Sequence, residues 1–158
     1  MRAEIAVTVD NVILCKIEDK FKLVLVKRKN DPFKDLWALP GGFVEQDEEL
    51  AEAAKRELQE ETGLIVEKNE QIGTFGKPGR DPRGRTISIV YLSLIHGEEQ
   101  LHADDDAAEA EWFEIDNLPK SLIFFFARIL SATSFWNMKI NISYQGGHFL
   151  SNTREANI

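Results

Sequence analysis

The sequence predicts an α/β or α+β domain in which a mixed β-sheet packs between helices. Several short segments are rich in β-branched residues, and one segment near residues 48–62 consists mainly of Ala, Leu, Glu and Lys. The chain has 158 residues, 43% of them hydrophobic and 29% charged, which is typical of a globular protein with a buried core. We therefore expect a single domain over residues 1–158.

The first part of the chain is expected to form strands. β-Branched residues dominate Ile5–Val9 and Val12–Lys16, and Phe21–Val26 follows a polar turn. Three glycines and two prolines predict a loop over residues 76–84, and residues 96–106 are polar enough to form another. Further strands are predicted near residues 67–75, 86–94 and 111–115.

Two helices are predicted. The first runs from about Glu48 to Thr62, carries acids in its first turn and stops at Gly63, which accepts the left-handed conformation that ends many helices. The second covers Leu118–Ser131. From about Ala132 the sequence mixes apolar residues with many Asn and Ser and indicates no defined element.

Composition argues against several classes of protein. The formal charge of −8 disfavours general nucleic-acid binding, which depends on Lys and Arg. No apolar run is long enough to span a bilayer, and the first ten residues lack the pattern of a signal peptide. The single cysteine, Cys15, lies among apolar residues and is expected to be buried in a reducing compartment. We expect a cytoplasmic protein with no nucleic-acid or membrane partner.

Charge is unevenly distributed along the chain. Residues 45–61 contain eight acidic and two basic residues, whereas residues 77–85 contain four basic residues and one acid. An acidic segment and a separate basic loop in one small domain indicate a metal ion together with an anionic ligand.

Three glutamates of the first helix share one face. Glu57, Glu60 and Glu61 stand at positions i, i+3 and i+4. The same face continues through apolar or small residues, namely Leu50, Ala53 and Ala54. Carboxylates converging on a partly buried spot repel one another unless a cation offsets them, and Mg²⁺ or Mn²⁺ prefers such oxygen ligands.

The segment from Gly42 to Leu64 resembles the Nudix box at every defined position. It reads Gly42-x5-Glu48-x7-Arg56-Glu57-Leu58-x-Glu60-Glu61-x-Gly63-Leu64. The resemblance implies a Nudix hydrolase whose loop–helix–loop lies over residues 42–64. It also implies that water attacks a phosphorus atom of a pyrophosphate with the help of one to three Mg²⁺ or Mn²⁺ ions.

The resemblance assigns roles within the box. Glu57, Glu60 and Glu61 are the expected metal ligands and catalytic carboxylates, and a backbone carbonyl near Gly42 assists them. Arg56 is expected to orient the carboxylates through an ion pair with Glu60, with an ordinary surface ion pair as the alternative. Glu48 is expected to be structural or to contact the metal ligands without binding the metal itself.

One further carboxylate outside the box often joins the site in this family. Glu109 is favoured here over Glu111, with Asp104–Asp106 behind them. Ordinary acids at a strand edge are the open alternative.

The segment Phe75–Arg85 and the residues around it resemble ADP-ribose pyrophosphatases, and Pro78 lies fifteen residues after Gly63, as in that subgroup. The resemblance implies hydrolysis of ADP-ribose to AMP and ribose 5-phosphate. Four arginines are candidate phosphate ligands: Arg28, Arg80, Arg83 and Arg85. Pairing of Arg80 and Arg83 with Asp81 is the alternative. Trp37 and Phe75 are candidates for stacking on adenine, or else core residues.

The resemblance ends near Pro119, and the segment from about residue 120 is atypical. A Phe-Asp-His motif of related sequences is missing, and Phe124, Phe125 and Phe126 cannot all face inward on one helix. Three alternatives stay open: another Nudix substrate (an oxidised nucleoside triphosphate, a dinucleoside polyphosphate or NADH), a non-catalytic regulator that binds ADP-ribose, and an inactive domain. Family precedent indicates a homodimer.

Overall fold

The computed structural model describes residues 4–132. Within them, the strands are β1 (Ala6–Ile17), β2 (Lys20–Arg28), β3 (Trp37–Ala38), β4 (Gly41–Phe43), β5 (Glu70–Phe75), β6 (Thr86–Ile95) and β7 (Ala107–Glu114). The helices are α1 (Leu50–Thr62) and α2 (Phe124–Ala132), and a short 3₁₀ turn covers Ile115–Asn117. In this part of the chain, neither helix is long and apolar enough to cross a membrane. The segment beyond Ala132, for which the sequence indicates no element, lies outside the described residues.

The strands form one mixed sheet in the order β3-β2-β1-β6-β5. The central pair, β1 and β6, is parallel from Ala6 opposite Thr86 to Cys15 opposite Ile95, and the other pairs are antiparallel. The first half of β1 also pairs with β4, and β2 also pairs with β7. This pairing brings Gly41 and Gly42, the first two residues of β4, beside Val9 and Asp10 in the middle of the sheet.

The two helices cover opposite faces of the sheet. Ala53 and Ala54 of α1 pack against Val9, while Leu58 packs in the cluster that contains Ile13. On the other face lie three buried residues of α2, namely Phe126, Ile129 and Leu130. The predicted mixed sheet between helices is confirmed.

β1 is one continuous strand that includes most of both predicted segments, Ile5–Val9 and Val12–Lys16. Asp10 and Asn11 are buried, with 6% and 0% of their surface exposed. The Ser88 hydroxyl donates a hydrogen bond to Asp10, and the Asn11 amide donates to the carbonyls of Pro40 (3.2 Å) and Ala54 (2.9 Å). The Asp10 carboxyl and the Asn11 amide nitrogen thus have partners inside the strand, whereas the buried Asn11 Oδ1 has no hydrogen-bond partner among the described residues.

The second helix begins at Phe124, six residues later than predicted. The Trp37 amide donates to the Ser121 carbonyl (3.0 Å), and the Ile123 amide donates to the Trp37 carbonyl (2.9 Å). The backbone before α2 therefore serves as an edge partner of β3 rather than as a helical turn. Within α2, Phe126 is buried and Phe124 is 53% exposed, which agrees with the expectation that the aromatic run cannot face inward as a whole.

Candidate active site

The Gly41-Gly42 segment of β4 leaves no room for side chains. A Cβ atom at Gly41 would lie 2.1 Å from the Val9 carbonyl oxygen. At Gly42 it would lie 2.5 Å from the Cδ atom of the Glu57 carboxylate. Glycine at both positions therefore allows the backbone of β4 to lie directly against β1 on one side and against the carboxylate of α1 on the other.

Glu57 and Glu61 project from α1 toward Gly41 and Gly42 of β4. Glu61 is only 7% exposed and accepts a hydrogen bond of 2.9 Å from the Gly41 amide. Burial raises the pKa of Glu61 to about 8, since the charged form loses its water, and burial also raises the pKa of Glu57. The third carboxylate, Glu60, is 42% exposed. The helix spacing thus brings these glutamates to one side but into different degrees of burial.

Arg56 connects the glutamates with the preceding loop. Its Nη1 atom lies 2.8 Å from Glu57 Oε1 and 3.1 Å from Glu60 Oε2. Its Nε atom lies 2.7 Å from Glu48 Oε1, and Nη2 donates to the Phe43 carbonyl at 3.2 Å. The predicted ion pair with Glu60 is present, and Glu48 pairs with the same guanidinium. Arg56 is consequently the cation around which the carboxylates are arranged.

The carboxylates and several arginines line one cavity of about 400 Å³. Its walls include the predicted residues Arg28, Gly42, Arg56, Glu57, Glu60, Glu61, Arg80 and Arg83. Carboxylates suited to a cation and guanidinium groups suited to phosphate therefore face the same space.

Arg83 is engaged within its own loop. Its Nη2 atom lies 2.7 Å from Asp81 Oδ2, and its backbone amide donates to Asp81 Oδ1 at 2.9 Å. Burial acts to raise the pKa of Asp81, but the hydrogen bonds and charge of Arg83 outweigh it and lower that pKa. The Arg83 guanidinium also lies 5.9 Å from the centre of the Phe33 ring. The alternative in which Arg83 orders the loop through Asp81 is therefore present in the structure.

Four predicted site residues do not line this cavity, namely Trp37, Pro78, Arg85 and Glu109. Trp37 is buried edge-to-face against Phe113, with ring centres 4.8 Å apart, and Phe75 packs against the same core cluster. Pro78 is exposed, and Arg85 donates to the Gly76 carbonyl. Glu109 stands opposite Lys27 in the sheet and pairs with it at 2.8 Å.

Five acids outside the predicted site residues also line the cavity: Asp10, Glu45, Asp81, Asp105 and Asp106. Asp10 is buried, and its burial raises its pKa to about 6. A single acid inside a long β-branched run was the available signal for Asp10, because a strand interior seldom keeps a carboxyl without a partner. Asp105 and Asp106 lie in the loop before β7, shortly before Glu109. This loop brings the two aspartates to the cavity, whereas Glu109 does not line it.

The donor set suits a divalent cation, but its side chains are engaged elsewhere. Within residues 4–132, no group of three or more His, Cys, Asp or Glu side chains is arranged to hold a metal ion. Glu57 and Glu60 form ion pairs with Arg56, and Glu61 accepts a hydrogen bond from the Gly41 amide. Two carboxyls with raised pKa values would gain from a cation, so the residues fit such an ion in chemistry, and side-chain rotation would have to complete the site.

Residues 7–132 match the family model described as the NUDIX domain. Because the match covers most of the chain, this protein belongs to the Nudix family. Members of that family use divalent metals.

Three relatives illustrate the likeness. An ADP-ribose pyrophosphatase of Methanocaldococcus jannaschii is 52% identical over 115 residues, which cover 73% of this chain and 65% of that enzyme. The NUDIX domain of Shewanella oneidensis NrtR, solved in complex with ADP ribose, is 28% identical with a TM-score of 0.76, covering 87% of this chain and 90% of that one.

The third is a bifunctional NMN adenylyltransferase/ADP ribose pyrophosphatase of Francisella tularensis, solved with AMP and a Mn ion. It is 34% identical with a TM-score of 0.65, covering 80% of this chain and 41% of that one. The chain thus spans less than two thirds of the length of both pyrophosphatases.

Proposed function

We propose that this protein is a Nudix pyrophosphohydrolase that uses a divalent metal to hydrolyse ADP-ribose to AMP and ribose 5-phosphate. The observation that carries the proposal is the shared cavity, in which the box glutamates face Arg28, Arg80 and Arg83. The archaeal ADP-ribose pyrophosphatase, 52% identical, supports the substrate.

The chain's own residues would divide the work in a simple way. Arg28 and Arg80 would bind phosphate oxygens, and the loop ordered by Arg83 and Asp81 would hold Arg80 in place. Glu57, Glu60 and Glu61, with the carbonyl of Gly42, would hold the metal. A divalent ion in such a site supplies charge stabilisation at the phosphorus and makes water a better nucleophile near neutral pH.

Arg56 would keep the carboxylates apart and oriented. Its contacts to Glu48, Glu57 and Glu60 span the box, so it can release Glu57 and Glu60 to a metal while Glu48 still holds its guanidinium. Glu109, paired with Lys27, would contribute only if that ion pair opened. Asp105 and Asp106 are better placed as additional acids.

Mg²⁺ as the ion, a homodimer as the assembly and the cytoplasm as the location belong to the same proposal. They rest on the family resemblance and on the buried single thiol of Cys15, which suits a reducing compartment.

A regulator that binds ADP-ribose without hydrolysing it is the second candidate. The Shewanella oneidensis NUDIX domain complexed with ADP ribose favours it. The three glutamates expected to bind the metal, Glu57, Glu60 and Glu61, are all present here and line the cavity, which favours the enzyme.

The test is incubation of the purified protein with ADP-ribose and Mg²⁺, followed by chromatography for AMP, with an EDTA control. We expect AMP in a 1:1 ratio with ribose 5-phosphate, and none in EDTA. Tight binding of ADP-ribose without AMP would support the regulator instead, and neither binding nor turnover would redirect the search to other nucleotides.

A matched pair of variants locates the activity. Glu60→Gln should lower turnover by orders of magnitude, whereas Glu52→Gln, on the exposed side of the same helix and paired with Lys55, should leave it unchanged. Equal activity in both variants would remove Glu60 from the site.

A further inference from the structure

We propose that Phe43 is the aromatic surface on which the nucleobase of the substrate stacks. This inference rests on the proposed function and deepens it by assigning a base subsite to a residue outside the predicted set. It begins from the exposure of Phe43, which is 57% for a large aromatic side chain.

The position of Phe43 distinguishes it from other exposed apolar residues. The described part of the chain exposes four large hydrophobic side chains, namely Ile5, Phe43, Ile65 and Phe124. Phe43 lines the cavity of the box glutamates, and the other three do not. An exposed ring beside a polar cavity stays in contact with water until a ligand with an apolar face covers it.

The backbone of Phe43 is fixed on both sides. In β4 it stands opposite Thr8 of β1, and its carbonyl accepts a hydrogen bond of 3.2 Å from Arg56 Nη2. The preceding residue, Gly42, lies directly against the Glu57 carboxylate. The ring is therefore carried by a strand whose backbone is held on both sides, next to Gly42, whose carbonyl is a proposed metal ligand. A ring held in this way loses less entropy when a ligand binds.

The chemistry of the cavity selects the ligand. Arg28, Arg80 and the carboxylates indicate a diphosphate bound with a cation, and Phe43 lines the same cavity. A nucleobase offers a π face to an aromatic side chain, and such stacking is tolerant of base identity. The two stacking candidates from the sequence, Trp37 and Phe75, instead pack in the core, Trp37 against Phe113.

The experiment compares two phosphates that differ by the base. AMP and ribose 5-phosphate are titrated by calorimetry, in Mg²⁺, into the wild type, Phe43→Ala, Phe43→Tyr and Ile65→Ala. We expect Phe43→Ala to weaken AMP binding about tenfold, which corresponds to about 1.4 kcal/mol. Its affinity for ribose 5-phosphate should stay within about twofold of the wild type. Phe43→Tyr should retain AMP affinity, and Ile65→Ala, exposed but outside the cavity, should match the wild type.

Several outcomes would overturn the inference. Equal weakening of both ligands would assign Phe43 to the shape of the phosphate site, and unchanged AMP affinity would remove it from the base subsite. A wild type that does not prefer AMP to ribose 5-phosphate would leave no base subsite to explain. Unchanged AMP affinity together with a lower oligomeric state of Phe43→Ala would instead assign the ring to an interface between copies of the chain.

The two proposals fail separately. Binding of AMP needs no turnover, so the loss of base preference in Phe43→Ala would support the subsite even if ADP-ribose were not hydrolysed. If Phe43→Ala does not fold, Phe43→Leu keeps the apolar bulk without the π face and should show an intermediate loss of AMP affinity. Unchanged AMP affinity in a folded Phe43→Leu would contradict stacking.

Discussion

Glu61 keeps a carboxyl group where water scarcely reaches it. Burial raises its pKa from 4.5 to about 8, while the Gly41 amide and Arg28 offset only part of that change. In the unfolded chain the same carboxyl ionises near its ordinary value. The folded state therefore holds the proton more tightly, and the stability that this proton contributes is present below about pH 4.5 and is lost as the pH rises toward 8.

Glu61→Gln should therefore stabilise the metal-free protein near pH 8 while abolishing most of its turnover. The amide keeps an oxygen for the Gly41 hydrogen bond but carries no charge. In EDTA we expect the free energy of unfolding to rise by on the order of 2–4 kcal/mol near pH 8 and hardly at all near pH 4.5. Thermal denaturation at both pH values measures the change. Glu52→Gln is the control, and a variant less stable than wild type at pH 8 would contradict the burial effect.

Gly41 and Gly42 should respond differently to alanine. At Gly42 the added methyl collides with the movable Glu57 side chain, so we expect turnover to fall about a hundredfold with a modest loss of stability. At Gly41 the methyl collides with the backbone of Val9, so we expect the free energy of unfolding to fall by at least about 1–3 kcal/mol. Activity assays and urea denaturation of both variants measure the contrast. A stable Gly41→Ala protein would show that β4 can shift.

At the scale of elements, α1 is attached to the preceding loop chiefly through one side chain. Arg56 is about three quarters buried and contacts Glu48, Glu57, Glu60 and the Phe43 carbonyl, whereas Lys55 pairs only with the exposed Glu52. Removing a hydrogen-bonded partner of a half-buried carboxylate costs more than removing a surface ion pair.

Arg56→Ala should therefore destabilise the protein by about 1–3 kcal/mol and reduce turnover, because Glu57 loses the cation that opposes its raised pKa. Lys55→Ala, one residue away, should leave both quantities unchanged. Denaturation curves and initial rates for the two variants provide the comparison. Equal effects would mean that Arg56 forms an ordinary surface ion pair.

Elements with strong local patterns were predictable, and those defined by distant partners were not. The helix ending at Gly63 was predicted because composition and a left-handed glycine are local signals. The two segments of β1 were named separately around Asp10 and Asn11, since nothing nearby in the sequence reveals Ser88, Pro40 or Ala54 as their partners. The start of α2 was misjudged for the same reason, because Trp37 takes the backbone groups of the preceding residues.

For the molecule as a whole, the sequence predicted the glutamate face and the Arg56–Glu60 pair, left the Arg83–Asp81 pair as an alternative and missed the Lys27–Glu109 pair. Positions i, i+3 and i+4 fix a helix face whatever the rest of the chain does. Whether an arginine or glutamate faces the cavity depends on tertiary contacts, and Arg83 with Asp81 and Glu109 with Lys27 are such cases. The roles of the individual site residues stay predictions.

Acidic groups converge on the cavity of a protein with a formal charge of −8, and their protonation should control metal binding. The pKa of Asp10 is raised to about 6 and that of Glu61 to about 8, both chiefly by burial. A cation at the proposed site must displace the proton of Glu61, so its affinity should fall as the pH drops below about 8, by up to about tenfold per unit.

Mg²⁺ should accordingly raise the melting temperature more near pH 8 than near pH 6, because an ion that binds the folded state stabilises it more when its affinity is higher. Thermal denaturation with millimolar Mg²⁺ or with EDTA at both pH values measures the difference. Glu61→Gln should lose most of the Mg²⁺ effect and its pH dependence, whereas Glu52→Gln should retain both. Equal shifts of the wild type at the two pH values would separate metal binding from the Glu61 proton, and a full Mg²⁺ effect in Glu61→Gln would exclude this carboxylate as a ligand.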